Sequence, residues 1–448
     1  MKFGRLFYGV VAVILILLCS GCSLNFFSVE SLMSAPAQSG KNGEVEAAFK
    51  KLMADKTIQL CTPSSGDYQT SYVLFDINGD SVEEAFVFYS EISVDTSARM
   101  TMLECVNDTW VISADIKGSG SGVYEISFED LNNDGIYEVF VGWSLYDNKT
   151  AKIASLFSVR IGENGVHQLN TLCNEYYNSK SFLDFNGDGS NDFIMVYLDD
   201  AGETQKSYFR CFSLSSKNKF IKYGQLKLSS SITQVSNVQW DTVSNSSGSF
   251  KRIFIDCLKT TNTMFTEMIY WDSEISEPVR SNSKASTEYL RSSKIFCRDI
   301  DGDGILEIPV NSKLLGEEKN LSVKIKDEVF TFTMLQWQGA EGDKSEGNVY
   351  TVFNPVDSYL YRTTRAEQIT VRYDLLRKAL LFCLWDEENG EIQDELLSVS
   401  YREINDETEI EGEELYSSQS GTYFYKITPN GEKTGITDEG VKASFIIL

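Results

Sequence analysis

A short acidic pattern that occurs four times constrains the fold of this chain more than any other feature of its sequence. The copies read FDINGDSVEEAF at 75–86, EDLNNDGIYEVF at 129–140, LDFNGDGSNDFI at 183–194 and RDIDGDGILEIP at 298–309. Counted from the first aspartate, every copy has Asp or Asn at positions one, three and five and Glu or Asp at position nine. Apolar residues flank the copies, so each acidic stretch is predicted to be a loop between two strands.

The copies recur at a nearly constant interval. Their first aspartates, Asp76, Asp130, Asp184 and Asp299, lie 54, 54 and 115 residues apart, and the last interval is close to two periods. A missing copy would begin near Asp241, where the chain reads QWDTVSNSSGSFKRIFI without acids at positions three, five and nine. We interpret this stretch as a repeat whose acidic loop has decayed. A period of this length indicates an array of supersecondary units.

Each period continues with the same succession of strands. After the second loop, for example, come EVFVGWSLY, KIASLFSVRI, a polar turn GENG, and VHQLNTLC. The strand after the third loop that corresponds to KIASLFSVRI is KSYFRCFSL. Short strands separated by Asn, Gly and Asp turns favour antiparallel hairpins. Four such strands in about 50 residues are typical of one propeller blade. We therefore predict a mainly β fold, a β-propeller-like array of four-stranded blades, with a smaller C-terminal α+β or β domain.

The residue types at the repeated positions match the ligand preference of calcium. Ca²⁺ takes six to eight oxygen ligands at about 2.3–2.6 Å, so several carboxylates and carbonyls must converge within one turn. Glycine at position six allows the bend, although the first copy has Ser81 there. The predicted side-chain ligands are Asp76, Asn78, Asp80, Glu84, Asp130, Asn132, Asp134, Glu138, Asp184, Asn186, Asp188, Asp192, Asp299, Asp301, Asp303 and Glu307. The predicted backbone ligands at position seven are the carbonyls of Val82, Ile136, Ser190 and Ile305.

The same residues have two alternative explanations, an EF-hand and a set of metal-free turns. An EF-hand is excluded because its loop needs Glu at position twelve, where this chain has Val or Met. The second alternative is a set of metal-free turns in which Asp and Asn cap their own backbone. Such turns do not explain the acid at position nine, and each pair of carboxylates would cost on the order of 1–4 kcal/mol without a counter-ion. We therefore expect calcium in a structural role.

These loops resemble the calcium loops of FG-GAP/VCBS repeats, which are known from integrin-α-like β-propellers and many exported bacterial proteins. The resemblance covers roughly residues 68–312, and four copies in register make it fairly specific. More narrowly, the whole chain resembles the lipid-anchored VCBS-repeat proteins of Gram-positive bacteria. That group has no assigned biochemical activity, so the resemblance implies a fold and a cation but no reaction.

The first residues predict export and a lipid anchor. Lys2 and Arg5 precede an apolar or small run over 6–18, which is too short to span a bilayer comfortably and typical of a signal peptide. The following LLCSGC resembles a bacterial lipobox, which implies a diacylglyceryl group on Cys22 and cleavage before it. The alternative is an ordinary signal peptide and a secreted product. We expect a protein tethered to the outer face of the cytoplasmic membrane.

The predicted domain organisation has five parts. They are a signal peptide at 1–21, a flexible tether at 22–42, an N-terminal capping segment at 43–67, a propeller at 68–349 and a C-terminal α+β domain at 350–448. GEVEAAFKKLM in the capping segment is predicted to be a short helix with Val45, Ala48, Phe49 and Leu52 on one face. A second helix, TDEGVKASF, is predicted near the end of the chain.

Charge and residue scarcity exclude several functions. The formal charge is −25, and without residues 1–21 the chain has 38 basic and 65 acidic residues, a charge of −27. Such a surface repels phosphate backbones, so nucleic acid is not an expected partner. The single histidine, His167, is expected to be a surface hairpin residue and not a catalytic base. The seven later cysteines lie in apolar runs and are expected to be buried small hydrophobic residues, with disulfides as the alternative.

Two function classes remain. The first is a non-enzymatic module that binds a surface protein or polysaccharide, and it predicts that no carboxylate outside the loops titrates abnormally. The second is an envelope-associated hydrolase with a carboxylate pair in the propeller channel or C-terminal domain. That enzyme would need two unpaired carboxylates roughly 5–10 Å apart. We favour the first, because a propeller by itself fixes no chemistry.

Overall fold

The computed structural model describes residues 40–92, 95–146, 151–162, 166–199, 206–245, 248–281, 290–292, 294–316, 321–339 and 349–448. The predicted signal peptide, Cys22 and most of the predicted tether lie outside these residues. None of the helices in the described part of the chain is long and apolar enough to cross a bilayer. The fold is mainly β, as predicted, and consists of antiparallel sheets.

Sheet 1 has a helix on one face. Helix α1 (Lys41–Leu52) matches the predicted helix, and Val45, Phe49 and the following Met53 are buried against the sheet. Leu52 was expected on this face but is 39% exposed, because Met53 takes the inward place at the end of the helix. The strands of sheet 1 are β1 (Ile58–Leu60), β2 (Tyr72–Phe75), β3 (Glu84–Glu91), β4 (Ala98–Val106) and β5 (Thr109–Lys117).

Sheets 2 and 3 are four-stranded meanders in which each strand pairs with the next. The predicted segments KIASLFSVRI and KSYFRCFSL coincide with the third strand of each sheet. Sheet 2 consists of β6 (Gly122–Glu129), β7 (Glu138–Ser144), β8 (Lys152–Ile161) and β9 (His167–Tyr177). Sheet 3 consists of β10 (Ser179–Leu183), β11 (Asp192–Asp199), β12 (Lys206–Leu214) and β13 (Phe220–Lys227).

Sheet 4 contains the repeat without an acidic loop. Its strands are β14 (Gln234–Asn245), β15 (Gly248–Thr260), β16 (Thr263–Asp272), β17 (Glu277–Arg280) and β18 (Arg291–Ser292). Strand β14 runs through Asp241, so a long hairpin replaces the loop. The buried Asp241 carboxylate accepts hydrogen bonds from Arg252 Nε at 2.9 Å and Nη2 at 2.5 Å, and from the Leu306 N–H at 2.9 Å. A guanidinium therefore supplies positive charge at the aspartate that begins this repeat.

The C-terminal part forms sheets 5 and 6. Sheet 5 consists of β19 (Ile308–Ser312), β22 (Thr333–Gln338), β23 (Val349–Asn354), β24 (Tyr359–Thr363) and the last strand β30 (Phe445–Ile447). Strands β20 (Ser322–Ile325) and β21 (Glu328–Thr331) form a separate hairpin. Sheet 6 consists of β25 (Ile369–Asp374), β26 (Ala379–Asp386), β27 (Glu391–Glu403), β28 (Glu413–Ser417) and β29 (Gly421–Ile427). Sheet 5 thus has strands on both sides of residue 350, and the five-part domain division stays a prediction.

Two short helices precede the last strand. They are α2 (Pro429–Lys433) and α3 (Asp438–Ser444), and α3 is the helix predicted near the chain end. Thr428 and Thr437 cap them, because each hydroxyl accepts a backbone N–H of the first turn. Val441 of α3 is buried in the core that sheets 5 and 6 share.

The sheets share hydrophobic cores in chain order. Val139 and Trp143 of β7 pack towards sheet 1. Phe140 is on the opposite face of β7, and its ring centre lies 5.6 Å from that of Phe193 in sheet 3. Further shared cores join sheet 3 to sheet 4, sheet 4 to sheet 5 and sheet 5 to sheet 6. Successive strand residues face opposite sides, so the inner sheets are buried on both faces. Within the described residues, no shared core joins sheet 6 to sheet 1, and closure into a propeller stays a prediction.

Candidate cation sites

Each acidic pattern forms a loop between two paired strand segments, and all four loops have the same register. We name them loop 1 (76–84), loop 2 (130–138), loop 3 (184–192) and loop 4 (299–307). In every loop the residue before position one pairs with position nine. The pairs are Phe75 with Glu84, Glu129 with Glu138, Leu183 with Asp192, and Arg298 with Glu307.

The acids at positions one, five and nine accept hydrogen bonds from the backbone of their own loop. In loop 3, Asp184 accepts the N–H groups of Asp188 at 3.1 Å and Gly189 at 3.0 Å. Asp188 accepts the N–H of Ser190 at 2.9 Å, and Asp192 accepts that of Phe185 at 2.9 Å. Equivalent bonds occur in the other loops. These bonds leave the remaining oxygen lone pairs of the acids open to a cation.

Positions four and six adopt the left-handed backbone conformation in every loop. Position six has φ of 70° at Ser81 and 83–90° at the glycines of the other loops. Position four has φ of 55° at Asn133 and 73–87° at its glycines. Gly and Asn tolerate this region best. The Gly or Asn at position four of all four copies was a sequence signal that our prediction did not use.

The acid at position nine is buried in every loop. Burial raises the pKa of Glu84, Glu138 and Glu307 to about 7 and that of Asp192 to about 6, because the charged form loses its hydration. Glu307 is only 3% exposed, and one of its oxygens accepts the Ile300 N–H at 2.9 Å. Its other oxygen, Oε1, is buried without a hydrogen-bond partner.

Loop 4 brings three carboxylates together. One oxygen each of Asp299, Asp301 and Glu307 lies within 4.8 Å of the other two, whereas Asp303 is outside this group. Two ligands on opposite sides of one calcium ion are about 5 Å apart, so these three oxygens can contact the same ion. No other such carboxylate group occurs in the described residues. Loops 1 to 3 have an asparagine at position three, so each has one acid fewer at positions one, three, five and nine.

His167 is partly buried beside loop 1, and the expectation of a surface residue was wrong. Its side chain is 12% exposed. Its backbone N–H donates to Glu104 Oε1 at 2.8 Å, and its Nδ1 lies 3.0 Å from Glu104 Oε2. Its Nε2 lies 3.4 Å from Asn78 Nδ2. Glu104 and Asn78 are 63 and 89 residues away in sequence, so no local pattern could indicate these contacts.

Carboxyl groups outside the loops also have perturbed pKa values, contrary to expectation. Burial raises the pKa of Asp357 to about 7, and its side chain accepts a hydrogen bond from Asn354 at 2.9 Å. Burial also raises the pKa of Glu129, which lies directly before loop 2. Asp357 lies in the turn between β23 and β24 of sheet 5, whereas Glu129 ends β6 of sheet 2.

The seven cysteines after Cys22 are free thiols. Cys211, Cys257, Cys297 and Cys383 are buried, as predicted, whereas the other three are partly buried. Burial raises the pKa of the Cys257 and Cys297 thiols well above the usual value. These groups therefore stay protonated and are poor nucleophiles.

Comparison with known proteins does not assign a family. No protein-family model matches the chain, and neither does any curated protein. Similar solved structures include a hypothetical selenium-binding protein from Sulfolobus tokodaii, with 9% identity and a TM-score of 0.27 over 51% of this chain and 56% of that one. Sqt1 from Chaetomium thermophilum has 9% identity and a TM-score of 0.28 over 73% of this chain and 72% of its own. The chain thus spans little more than half of the first protein, and these TM-scores support no conclusion about function.

Proposed function

We propose that this chain is a calcium-stabilised, lipid-anchored extracytoplasmic protein that acts as a non-enzymatic binding module. One observation carries the calcium proposal: the buried Glu307 has an unpartnered oxygen, and its carboxylate converges with those of Asp299 and Asp301. A divalent cation would supply the missing positive charge, and calcium suits an all-oxygen ligand set. The same turn in loops 1 to 3 extends the proposal to them. Bound calcium would stabilise the folded loops and would not itself react.

The stack of sheets supports a propeller-like arrangement. The first strands of sheets 2, 3 and 4 line one polar cavity of about 280 Å³, through Tyr124 of β6, Ser179 of β10 and residues 234–237 of β14. Propeller blades surround a central channel in this way. Together with the repeated loops, this convergence supports membership of the FG-GAP/VCBS group.

The raised pKa values of Asp357 and Glu129 contradict one expectation of the binding class, but burial accounts for both, and a binding role is still the function that the side chains support best. The loop acids hold their own turns, and both ring nitrogens of His167 have neighbours. A separate cavity of about 350 Å³ between sheet 6 and the β20–β21 hairpin is lined by the aromatic side chains of Phe332, Tyr373 and Trp385, with Arg372 and Glu391 beside them. Aromatic faces with a few polar groups are typical of ligand pockets. We infer a polysaccharide or surface-protein partner.

The calcium proposal predicts a cation-dependent melting temperature. The purified protein should melt at a higher temperature in calcium than in chelator, since a ligand at a hundred times its Kd adds about 2.7 kcal/mol to the folded state. Glu307→Gln should reduce this difference by weakening loop 4. Glu387→Gln, at an exposed acid outside the loops, should leave it unchanged. Equal melting temperatures in calcium and chelator would contradict the proposal.

A further inference from the structure

We propose that two side chains from neighbouring sheets, His167 and Asn218, orient the position-three amides of loops 1 and 2 towards their cations. The inference rests on the proposed calcium binding and adds positioning residues outside the loops. Neither residue belongs to the acidic pattern. His167 lies at the β8–β9 connection of sheet 2 and contacts loop 1, and Asn218 lies at the β12–β13 connection of sheet 3 and contacts loop 2.

Loop 2 shows the arrangement between two asparagines. Asn132 Oδ1 accepts the Asp134 N–H at 3.1 Å, so the amide oxygen is on the loop side. Asn132 Nδ2 donates to Asp134 Oδ2 at 3.0 Å and to Asn218 Oδ1 at 3.2 Å. Both donors of the amide are thus used, and rotating the group would break these hydrogen bonds. Asn218 lies between β12 and β13 of sheet 3 and has a left-handed backbone, φ 55°.

Loop 1 achieves the same orientation with a histidine. Asn78 Oδ1 accepts the Asp80 N–H at 2.9 Å, and Asn78 Nδ2 lies 3.4 Å from His167 Nε2. The Glu104 carboxylate lies 3.0 Å from His167 Nδ1. Because a carboxylate only accepts, Nδ1 carries the proton and Nε2 is left as an acceptor for the amide. Glu104 of sheet 1 therefore sets the tautomer of a ring in sheet 2, which in turn holds loop 1.

Loops 3 and 4 differ and serve as internal references. Asn186 Nδ2 donates to Asp188 within loop 3 at 3.1 Å, and the described residues provide no acceptor from another sheet. Loop 4 has Asp301 at position three, which has no amide to orient. Removing an orienting group should therefore act directly on loop 1 or loop 2 and leave loop 4 unchanged.

The loops also join neighbouring sheets directly. The Tyr137 N–H of loop 2 donates to the Ile77 carbonyl of loop 1 at 2.8 Å, and Asn133 Nδ2 of loop 2 donates to the Gly189 carbonyl of loop 3 at 2.9 Å. A cation that orders loop 1 or loop 2 would thereby also fasten adjacent sheets. Residues that hold metal ligands in place typically change metal affinity by about 10–100-fold when removed.

The test is a calcium titration of the purified full chain, followed by hydrogen–deuterium exchange of peptides that cover each loop. His167→Ala should raise the calcium concentration for half-maximal protection of loop 1 by about tenfold or more, with loops 3 and 4 unchanged. His167→Gln keeps an acceptor and should stay close to the unmodified protein. Asn218→Gly removes the acceptor and suits the left-handed backbone, so it should weaken loop 2 and leave loop 4 unchanged. Asn218→Asp, which keeps the acceptor oxygen, is its matched control.

Two results would overturn the inference in distinguishable ways. If the unmodified protein binds calcium but loop 1 in His167→Ala and loop 2 in Asn218→Gly titrate as before, the positioning role is wrong and the calcium proposal stands. If the unmodified protein shows no calcium-dependent protection in any loop, both proposals are wrong. Asn218→Gly does not change the contact between His167 and the buried Glu104. If His167→Ala fails to fold, the calcium titration of Asn218→Gly still tests the inference.

Discussion

Ser81 has the left-handed backbone that glycine provides in the other three loops. An L-residue in this conformation costs roughly 1–2 kcal/mol relative to an ordinary one. The turn persists in loop 1 because the Asp76 carboxylate accepts the Ser81 N–H at 2.8 Å and the Asp80 N–H at 3.2 Å. The hydrogen bonds of the loop thus outweigh the backbone preference of one residue.

Replacing Ser81 by glycine should therefore stabilise the protein. We expect Ser81→Gly to raise the free energy of unfolding in chelator by about 1 kcal/mol, measured by urea denaturation. Gly135→Ser in loop 2 is the reverse control, because a Cβ there would meet no atom within 4 Å and only the backbone is strained. It should lower stability by about the same amount. If both variants unfold like the unmodified protein, the backbone account is wrong.

The raised pKa of Asp357, about 7, predicts a pH-dependent stability. In the unfolded chain the Asp357 carboxyl loses its proton at about pH 4, whereas in the folded protein it keeps the proton up to about pH 7. The contribution of this group to stability is thus fully present below about pH 4 and lost as the pH rises to about 7.

Asp357→Asn should remove that dependence. At about pH 8 the variant should be more stable than the unmodified protein by on the order of 2 kcal/mol, with a smaller difference at about pH 5. Thermal unfolding at both pH values measures this, and the titration of all other groups cancels in the comparison. A difference that does not change with pH would contradict the predicted titration of Asp357.

At the scale of elements, the hairpin of sheet 4 shows how one of these sheets is held together without an acidic loop. From Asn237 onwards, strands β14 and β15 pair without interruption as far as Asn245 and Gly248, so no loop backbone at Asp241 needs a carboxylate to hold it. The one acid that remains, Asp241, is buried and has Arg252 as its counter-ion. It also accepts the Leu306 N–H of loop 4, which joins sheet 4 to sheet 5.

Removing one partner of the buried Arg252–Asp241 ion pair should strongly lower the stability of the fold. We expect Arg252→Met to lower the free energy of unfolding by about 3–5 kcal/mol, because it leaves a buried carboxylate without a counter-ion. Adding Asp241→Asn to the same chain should recover much of that loss, as a double-mutant cycle in urea would show. A double variant no more stable than Arg252→Met would contradict the role of charge compensation.

At the scale of the whole molecule, the sheets follow one another in space as they do in sequence, each sharing a core with the next. The proposed anchor precedes this stack, since the predicted tether ends where α1 begins and α1 packs on sheet 1. A lipid on Cys22 would therefore hold the array at the membrane by its first sheet.

The anchor predicts a change of location on one substitution. In cells, Cys22→Ser should release the protein into the medium, because it removes the sulfur that would carry the lipid. Cys19→Ser, in the same segment, should leave the protein in the membrane fraction. Retention of the Cys22→Ser protein in the membrane, shown by immunoblots of both fractions, would contradict lipid anchoring.

The sequence by itself determined the local structure of this protein. Alternating apolar residues and polar turns specify strands whose bounds match the predictions in sheets 2 and 3, and Asp, Asn and Gly at fixed offsets specify four equivalent loops. These features depend on residues within one turn or one hairpin, so neighbours in sequence are enough to specify them.

Only the tertiary structure decided which groups meet between sheets. His167 reaches Asn78 across 89 residues, and Arg252 and Leu306 meet at Asp241 although they lie 11 and 65 residues beyond it. The sequence alone places an aspartate at position three of loop 4, and the tertiary structure decided that Asp299, Asp301 and Glu307 converge while Asp303 lies outside the group. Such contacts depend on how sheets stack, and stacking is set by the summed packing of many side chains and not by any local pattern.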